Sequence, residues 1–119
     1  MNDLKDRTKR FAVEVIRFCS TLPEKREYRN IQSQLTRCGS SVGANYRAAC
    51  RARSKADFIS KLSIVEEEAD ESIYWLELLE EIGESNNRKL DELKAEANQL
   101  VAIIVASKRT TRLNISKAK

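Results

Sequence analysis

Residues 28–52, YRNIQSQLTRCGSSVGANYRAACRA, decide the fold that the sequence predicts. Their apolar side chains recur at steps of three and four residues, which is the spacing of one face of an amphipathic α-helix. These apolar positions are Ile31, Leu35, Cys38, Val42, Tyr46 and Ala49. The same segment holds two glycines, each of which costs a helix interior about 1 kcal/mol relative to alanine. We therefore expect a second helix to pack closely on a surface of small residues. Its members are Gly39, Ser40, Gly43, Ala44 and Ala48.

Two further segments show the same helical spacing on either side of this one. The first carries apolar residues from Leu4 to Leu22 and meets Pro23, which cannot continue a helix. The third begins at Ser54, whose side chain can cap free backbone amides, and meets Gly83, a natural C-terminal stop. Both segments therefore have recognisable ends as well as an apolar stripe.

A fourth helical segment follows the polar loop of residues 84–87 and carries an apolar stripe from Leu90 to Ile104. Four helices joined by short loops are typical of an up-and-down bundle. We therefore predict an all-α fold, an antiparallel up-and-down four-helix bundle that forms oligomers. One domain spans residues 1–110, and a basic, flexible tail spans residues 111–119.

The composition excludes most enzyme classes. Of 119 residues, 34% are charged and 41% hydrophobic, and only 3 are glycine and 1 is proline. Such a profile favours a helix-rich soluble domain over a disordered or all-β chain. Histidine is absent, and with it the commonest general base, the Ser-His and Cys-His pairs and the commonest metal ligand. We expect no enzymatic activity, no cofactor, no metal and no small-molecule substrate.

The cysteines and the apolar runs indicate the compartment. Cys19, Cys38 and Cys50 are odd in number and contain no C-x-x-C pair, so they resemble neither a disulfide framework nor a zinc site. A reducing cytoplasm is the simpler interpretation. The longest apolar run, residues 100–106, is too short to span a membrane. We therefore expect a cytoplasmic protein without a membrane segment.

Two motifs have simpler explanations than catalysis or metal binding. Residues 39–43 match G-x-S-x-G, with Ser41 in the nucleophile's place, but the segment is helical and no histidine could activate the serine. We treat that match as accidental. An acidic cluster lies within residues 66–71. Consecutive acids on a helix point in different directions, which favours a solvated face or a salt-bridged interface over a Mg²⁺ or Ca²⁺ site.

Charge is distributed unevenly along the chain. Residues 54–85 hold 2 basic and 10 acidic side chains, whereas residues 107–119 hold 5 basic and none acidic. Three arginines share the side of the second helix opposite Ile31, and three further cations belong to the basic C-terminal segment, residues 107–119. These candidate nucleic-acid contacts are Arg29, Arg47, Arg51, Lys108, Arg109 and Arg112. The alternative interpretation of the arginines is a solvated polar face, or ion pairs with the acids of the third helix.

The third helix has more apolar surface than one stripe requires. Four residues fall on a second face, away from its main stripe. They are Ile64, Trp75, Leu78 and Ile82. Either the helix is flanked on two sides within the bundle, or this second face is an oligomer interface that meets another subunit.

Several short segments together form a specific pattern. They are Arg7-Thr8-Lys9, Phe11-Ala12, Leu22-Pro23, Gln34-Leu35-Thr36-Arg37, Ser41-Val42-Gly43-Ala44-Asn45-Tyr46-Arg47, Ser54-Lys55-Ala56-Asp57-Phe58-Ile59, Lys61-Leu62 and Tyr74-Trp75-Leu76. In these segments, over roughly residues 4–82, the chain resembles the bacterial four-helix bundle proteins encoded within intervening sequences of 23S ribosomal RNA genes.

The resemblance implies a four-helix up-and-down subunit that assembles as a homopentamer, without known enzymatic activity. The family is also similar in fold to the accessory protein of diversity-generating retroelements, which binds a reverse transcriptase and nucleic acid. Family members often carry Glu after the Asn-Tyr-Arg segment, where this chain has Ala48. Two hypotheses follow. The protein is an oligomeric bundle that binds RNA or DNA through basic surfaces, or it is a protein-binding adaptor or accessory subunit whose arginines form subunit or partner interfaces.

Overall fold

The computed structural model describes residues 3–118. Four α-helices follow one another: α1 (Asp3–Cys19), α2 (Arg26–Ala49), α3 (Lys55–Leu79) and α4 (Arg88–Ala118). A π-helical turn, Glu80–Glu84, extends α3. The described residues contain no β-strand, so the prediction of an all-α protein with four helices is confirmed. No helix within residues 3–118 combines the length and the apolar character that crossing a bilayer requires.

The ends of α3 follow the predicted signals. The Ser54 hydroxyl accepts a hydrogen bond from the backbone N–H of Asp57 at 3.0 Å, which is a side-chain cap on the first turn. At the other end, Gly83 has a φ of 155°, which L side chains rarely adopt. A Cβ at Gly83 would also lie 2.8 Å from the Tyr28 hydroxyl. Glycine is therefore favoured at this turn by its backbone conformation, and a larger residue would also displace the end of the Tyr28 side chain.

The C-terminal segment is helical in the structure. α4 continues without a break through residue 110 to Ala118, so the predicted domain boundary does not coincide with a helix end. Thr111 and Ile115 are half-buried and extend the core-facing stripe of Ile104 at helical spacing. The hydroxyl of Thr111 donates to the carbonyl of Ser107 at 2.8 Å. Residues 1, 2 and 119 lie outside the described part of the chain.

The core lies along the predicted stripes of all four helices. α2 packs against α1 and α3, α4 packs against α3, and a smaller contact joins α1 to α4. The largest fully buried side chains include Phe11, Leu35, Leu62, Leu76, Leu90 and Leu100. Burying one such side chain contributes about 1.5–3 kcal/mol, so the four stripes together supply the main driving force for folding.

Ion pairs between helices establish their relative order. In the contact between α1 and α4, Arg7 meets Glu96 at 2.6 Å and Glu14 meets Lys89 at 2.8 Å. Of these two pairs, the one with the lower-numbered residue of α1 has the higher-numbered residue of α4. The contact between α3 and α4 has the same pattern, since Glu66 meets Lys108 and Glu80 meets Lys94.

The glycines of α2 lie against α1. A Cβ at Gly43 would stand 3.2 Å from the carbonyl carbon and oxygen of Thr8, and one at Gly39 would stand 3.0 Å from a methyl group of Val15. Thr8 itself is 1% exposed. α1 and α2 therefore approach closely over the small-residue surface, as the sequence predicted.

We expect Gly43→Ala to destabilise the protein although alanine is the better helix former. The gain in helix propensity is about 1 kcal/mol, whereas overpacking costs about 1–3 kcal/mol, and the obstacle here is the backbone of α1. Urea unfolding should show a net loss of up to about 2 kcal/mol. Ser33→Ala, at an exposed position of α2, is the control and should be neutral or slightly stabilising. A Gly43→Ala variant as stable as this control contradicts the prediction.

Candidate nucleic-acid interface

Basic side chains gather at one end of the bundle. The start of α1 lies beside the end of α2, because Lys5 and Lys9 line the same groove as Arg47. The turn between α2 and α3 lies beside the end of α4, because Arg53 and Lys55 share a groove with Thr111. We call residues 3–10, 47–61 and 106–118 the basic end. They hold 13 basic side chains and 3 acidic ones, which are Asp3, Asp6 and Asp57.

The groove between α1 and α2 is lined by three basic side chains of the basic end. Lys5 and Lys9 of α1 stand on one side of it, and Arg47 of α2 stands on the other. Its floor consists of the small residues Ala12, Ser40, Gly43 and Ala44. The groove has a volume of about 260 Å³. We call it the α1–α2 groove.

No carboxylate of the described residues lines this groove. Within residues 3–118, Lys5, Lys9 and Arg47 take part in no ion pair. By contrast, Arg7 on the same helix is held by Glu96, whose hydrogen bond raises the pKa of the guanidinium. The three groove cations therefore present their charge to solvent and to any anion that enters.

A second basic surface lies at the turn between α2 and α3. It contains Arg51, Arg53 and Lys61 together with Asp57. Lys61 donates to Asp57 at 2.9 Å, and this bond, with one from the backbone N–H of Arg53, lowers the pKa of the carboxyl. Asp57 therefore stays ionised and neutralises Lys61. Arg51 and Arg53 remain exposed, and Arg51 lies beyond the end of α2 rather than on the helix.

Arg29 lies apart from Arg47 and Arg51. It belongs to the first turn of α2, 18 residues before Arg47, which is about 27 Å along a helix at 1.5 Å per residue. Arg29 is exposed. The structure therefore brings Arg47 and Arg51 to the basic end and leaves Arg29 at the opposite end.

The predicted cations of the C-terminal segment lie on α4 and differ in availability. Lys108 is paired with Glu66 at 2.8 Å and donates to the Ser63 hydroxyl at 3.0 Å. Only 13% of its side chain is exposed. Arg109 and Arg112 are exposed and line a shallow groove with the apolar Val105 and Leu113. Two of these three cations are therefore open to an anionic partner.

Sequence reasoning missed Lys5 and Lys9. A helical wheel describes one helix at a time, whereas these lysines meet Arg47 only through the packing of α1 on α2. Their spacing of four residues places them on one face of α1. Combined with an up-and-down topology, that spacing was a signal from which the groove could have been predicted.

The serine of the G-x-S-x-G match lies within α2. The hydroxyl of Ser41 donates to the carbonyl of Arg37 at 2.8 Å, a bond to the preceding turn of its own helix. No strand precedes Ser41 in the described chain, so the strand-to-helix turn of a nucleophile elbow is not formed here.

The acidic cluster of α3 forms ion pairs with α2 at one arginine. Arg37 pairs with Glu68 at 3.2 Å and also with Glu71. The indole N–H of Trp75 donates to the same Glu71 carboxylate at 2.9 Å. Within the described chain, no group of three or more acidic or cysteine side chains is gathered to hold a metal ion. The salt-bridged interpretation therefore applies to Arg37 and not to the other arginines of α2.

The second apolar face of α3 is partly uncovered in the subunit. Ile64 and Ile82 are 45% and 44% exposed, while Trp75 and Leu78 are half-buried. Tyr74 packs its ring against Trp75 with the centroids 5.2 Å apart and is itself exposed. The face is therefore covered only in part within the subunit, at Trp75 and Leu78, which pack against the core, and its role as an oligomer interface stays a prediction.

Comparisons with known proteins point to one family. The family model described as 23S rRNA-intervening sequence protein matches residues 2–106. The chain is also similar to a protein of unknown function from the S23 ribosomal protein family of Bacteroides thetaiotaomicron, with 31% sequence identity and a TM-score of 0.81. That similarity covers 88% of this chain and 97% of that crystallised chain. No curated protein sequence matches. The resemblance found in the short segments is confirmed.

The contact between Glu71, Arg37 and Trp75 generates a prediction about pH. Hydrogen bonds from Trp75 and then Arg37 lower the pKa of Glu71 below its usual value of 4.5. The ionised carboxylate therefore stabilises the folded state above about pH 4.5, and this contribution is lost as the pH falls through the lowered pKa. Between about pH 5 and pH 3, the unfolding free energy of wild type should fall more steeply than that of Glu71→Gln. Glu67→Gln, an exposed neighbour on α3, is the control. Equal slopes for Glu71→Gln and wild type contradict the prediction.

Proposed function

We propose that this chain, which belongs to the family of 23S rRNA-intervening sequence proteins, is a non-enzymatic, oligomeric bundle that binds the phosphate backbone of nucleic acid through its basic end. The observation that carries the proposal is the α1–α2 groove. Three cations converge there, and no acidic residue lines it. Such a site can bind any phosphate of a nucleic acid, because phosphates recur at every nucleotide. A protein carboxylate would have to lie at one fixed position to reach the same groove.

The distribution of charge supports the same proposal at longer range. The 13 basic side chains of the basic end outnumber its 3 acidic ones. The resulting positive potential attracts a polyanion before contact. The residues that we expect to contact phosphates are exposed and outside ion pairs in the described chain. They are Lys5, Lys9, Arg47, Arg51, Arg53, Arg109 and Arg112. Lys108 is already neutralised by Glu66, and we expect little from it.

The basic end lacks a device for reading bases. Phe58 is the one aromatic residue among residues 3–10, 47–61 and 106–118, and it packs against the core. Sequence-tolerant stacking needs exposed aromatic rings, and base readout needs side chains that enter a groove of the nucleic acid. We therefore expect affinity to depend on charge, with little preference for sequence.

The proposed subunit is an antiparallel up-and-down bundle that assembles with copies of itself. The opposite order of the ion pairs between α1 and α4, and between α3 and α4, supports the antiparallel arrangement. The uncovered side chains of Ile64 and Ile82 support assembly, and the family resemblance implies a pentamer. Buried thiols at Cys19 and Cys38 fit a reducing cytoplasm.

The second apolar face of α3 also favours a second candidate function, that of a protein-binding adaptor. A face that holds Trp75 beside the exposed Tyr74 and Ile82 has the aromatic character of protein interfaces. In this alternative the face meets a different protein instead of another subunit. The solution state of the purified chain separates the two.

Nucleic-acid binding should depend on the basic end and on salt. For wild type, log K should fall with log salt by about 0.9 per contacted phosphate on duplex DNA and about 0.7 on single strands. The double variant Arg47→Glu with Arg51→Glu should bind all sequences more weakly and with a flatter salt slope, as measured by fluorescence anisotropy. Arg26→Glu with Arg29→Glu makes the same change of charge at the opposite end of α2 and should bind like wild type. Absence of binding by wild type at low salt contradicts the proposed function.

Assembly should depend on the uncovered apolar face. Ile64→Glu with Ile82→Glu should reduce the molar mass measured by light scattering without unfolding the subunit, because both side chains are more than two-fifths exposed in the subunit. Asn30→Glu with Ser33→Glu, two exposed polar positions on α2, adds the same charge and is the control, which should leave the mass unchanged. A strictly monomeric wild type at micromolar concentration contradicts self-assembly and favours the adaptor.

A further inference from the structure

We infer that the α1–α2 groove is a discrete binding site for a single phosphate group, in which Lys5, Lys9 and Arg47 hold the same anion. The inference rests on the proposed function only for the source of that phosphate. Free phosphate, the terminal phosphate of a nucleic acid and an internal phosphodiester share the chemistry that the groove recognises.

Positive charge converges on the groove from two helices. Lys5 and Lys9 are one turn apart on α1, so their side chains leave the same face with about 6 Å between their levels. Arg47 enters the groove from α2, on the opposite wall. Arginine can bind phosphate through two parallel N–H bonds, and lysine contributes a mobile point charge. The three side chains can therefore surround one anion from two sides.

The groove has a closed floor and an open space above it. Gly43 packs against the backbone of Thr8, which closes the floor between the two helices. Ala12 and Ala44 add no side chain beyond a methyl group, so the space above that floor stays open. A volume of about 260 Å³ is below the range of about 300–1,000 Å³ that is usual for drug-sized ligands. The groove suits a small group such as a phosphate rather than a nucleotide cofactor.

The residues that line the groove include no acidic side chain that would compete with a phosphate for the three cations. The Ser40 hydroxyl donates to the carbonyl of Thr36 at 2.5 Å, so its proton is engaged by its own helix. Two other grooves of the basic end contain Asp57 or Glu66. No acid lines the α1–α2 groove, which has three cations, or the groove of Arg53 and Lys55, which has two. Like charges held together repel one another, and an entering anion relieves that repulsion. Recognition therefore depends on the three cations.

The charge of the ligand follows from the same count. A phosphate monoester carries about −1.5 to −2 at pH 7, because its second pKa is about 6, whereas a phosphodiester carries a single negative charge. Three cations match the more highly charged form. Binding of inorganic phosphate should therefore weaken as the pH falls from about 7 to about 5.

Ala44→Glu tests the site without removing any of its cations. Ala44 is exposed and lines the groove, so the variant places a carboxylate in the groove without disturbing the core. Ala95→Glu is the matched control, since Ala95 is an exposed alanine of α4 outside the groove and the change of net charge is identical. Thermal melting by circular dichroism should confirm that both variants fold.

The readout is a titration with inorganic phosphate followed by NMR. In wild type and Ala95→Glu, the backbone amides of Ser40 and Gly43 should shift in a saturable way. In Ala44→Glu, the affinity should fall by at least about tenfold, because the added charge repels the anion at short range. Absence of saturable shifts at the groove in wild type, or equal affinities for the two variants, overturns the inference.

Two oligonucleotides of identical sequence, with and without a 5′-phosphate, separate the sources. Tighter binding of the phosphorylated form that is lost in Ala44→Glu supports the site and identifies a terminal phosphate. Equal binding of both forms that Ala44→Glu weakens supports the site and identifies an internal phosphodiester. If both variants bind nucleic acid alike and inorganic phosphate alike, the site is wrong and the proposed function stands through the other cations of the basic end. If wild type binds phosphate but no oligonucleotide, the proposed function is wrong and the site stands.

Discussion

The rest of the structure depends on the close approach of α1 to α2. Because Gly43 has no side chain, its Cα can lie against the carbonyl group of Thr8, where a Cβ would come within 3.2 Å of the backbone. Gly39 does the same against Val15. The approach sets the depth at which Phe11 and Val15 enter the core, where both are at most 2% exposed. It also places the N-terminal lysines of α1 beside Arg47. Packing and candidate site therefore share one geometric cause.

The ion pairs decide which charges remain available. Three acids of α3 form ion pairs with other helices: Glu68 and Glu71 pair with Arg37, and Glu66 pairs with Lys108. Exposed pairs of this kind contribute only about 0–1 kcal/mol each to stability, so their larger effect is on the surface potential. They neutralise Arg37 and Lys108, whereas the cations of the α1–α2 groove have no ion-pair partner in the described chain. A cluster of unneutralised cations does not stabilise the fold, so its presence requires another explanation. Binding of a phosphate ligand supplies that explanation.

Much of the fold followed from the sequence because the helices are governed by local rules. Steps of three and four apolar residues located the stripes of all four helices, the Ser54 side chain capped α3, and the small residues of α2 indicated close packing. The helical end of α4 was not predicted from the sequence. Thr111 is weakly apolar and Ile115 is an isolated apolar residue, and the burial of both depends on the neighbouring helix.

The candidate site followed only in part. Arg47 and Arg51 were identified from charge and spacing, but Arg29 shares their wheel position and lies about 27 Å from Arg47 along the helix. Lys108 looked available until its pairing with Glu66 was seen. Lys5 and Lys9 were missed because they meet Arg47 across two helices. A single sequence predicts which face of a helix a residue lies on. Its position along the bundle and its ion-pair partners depend on tertiary packing, which the sequence does not show directly.

A double-mutant cycle between Lys9 and Arg47 tests the central claim most directly, that packing of α1 on α2 makes one anion site from two helices. Dissociation constants for a phosphorylated oligonucleotide would be measured for Lys9→Ala, Arg47→Ala and the double variant. The cycle of Lys9 with the distant Arg29 is the reference. If Lys9 and Arg47 hold the same phosphate, the double loss should differ from the sum of the single losses by more than about 0.5 kcal/mol, whereas the reference cycle should be additive. Additivity in both cycles would contradict the account.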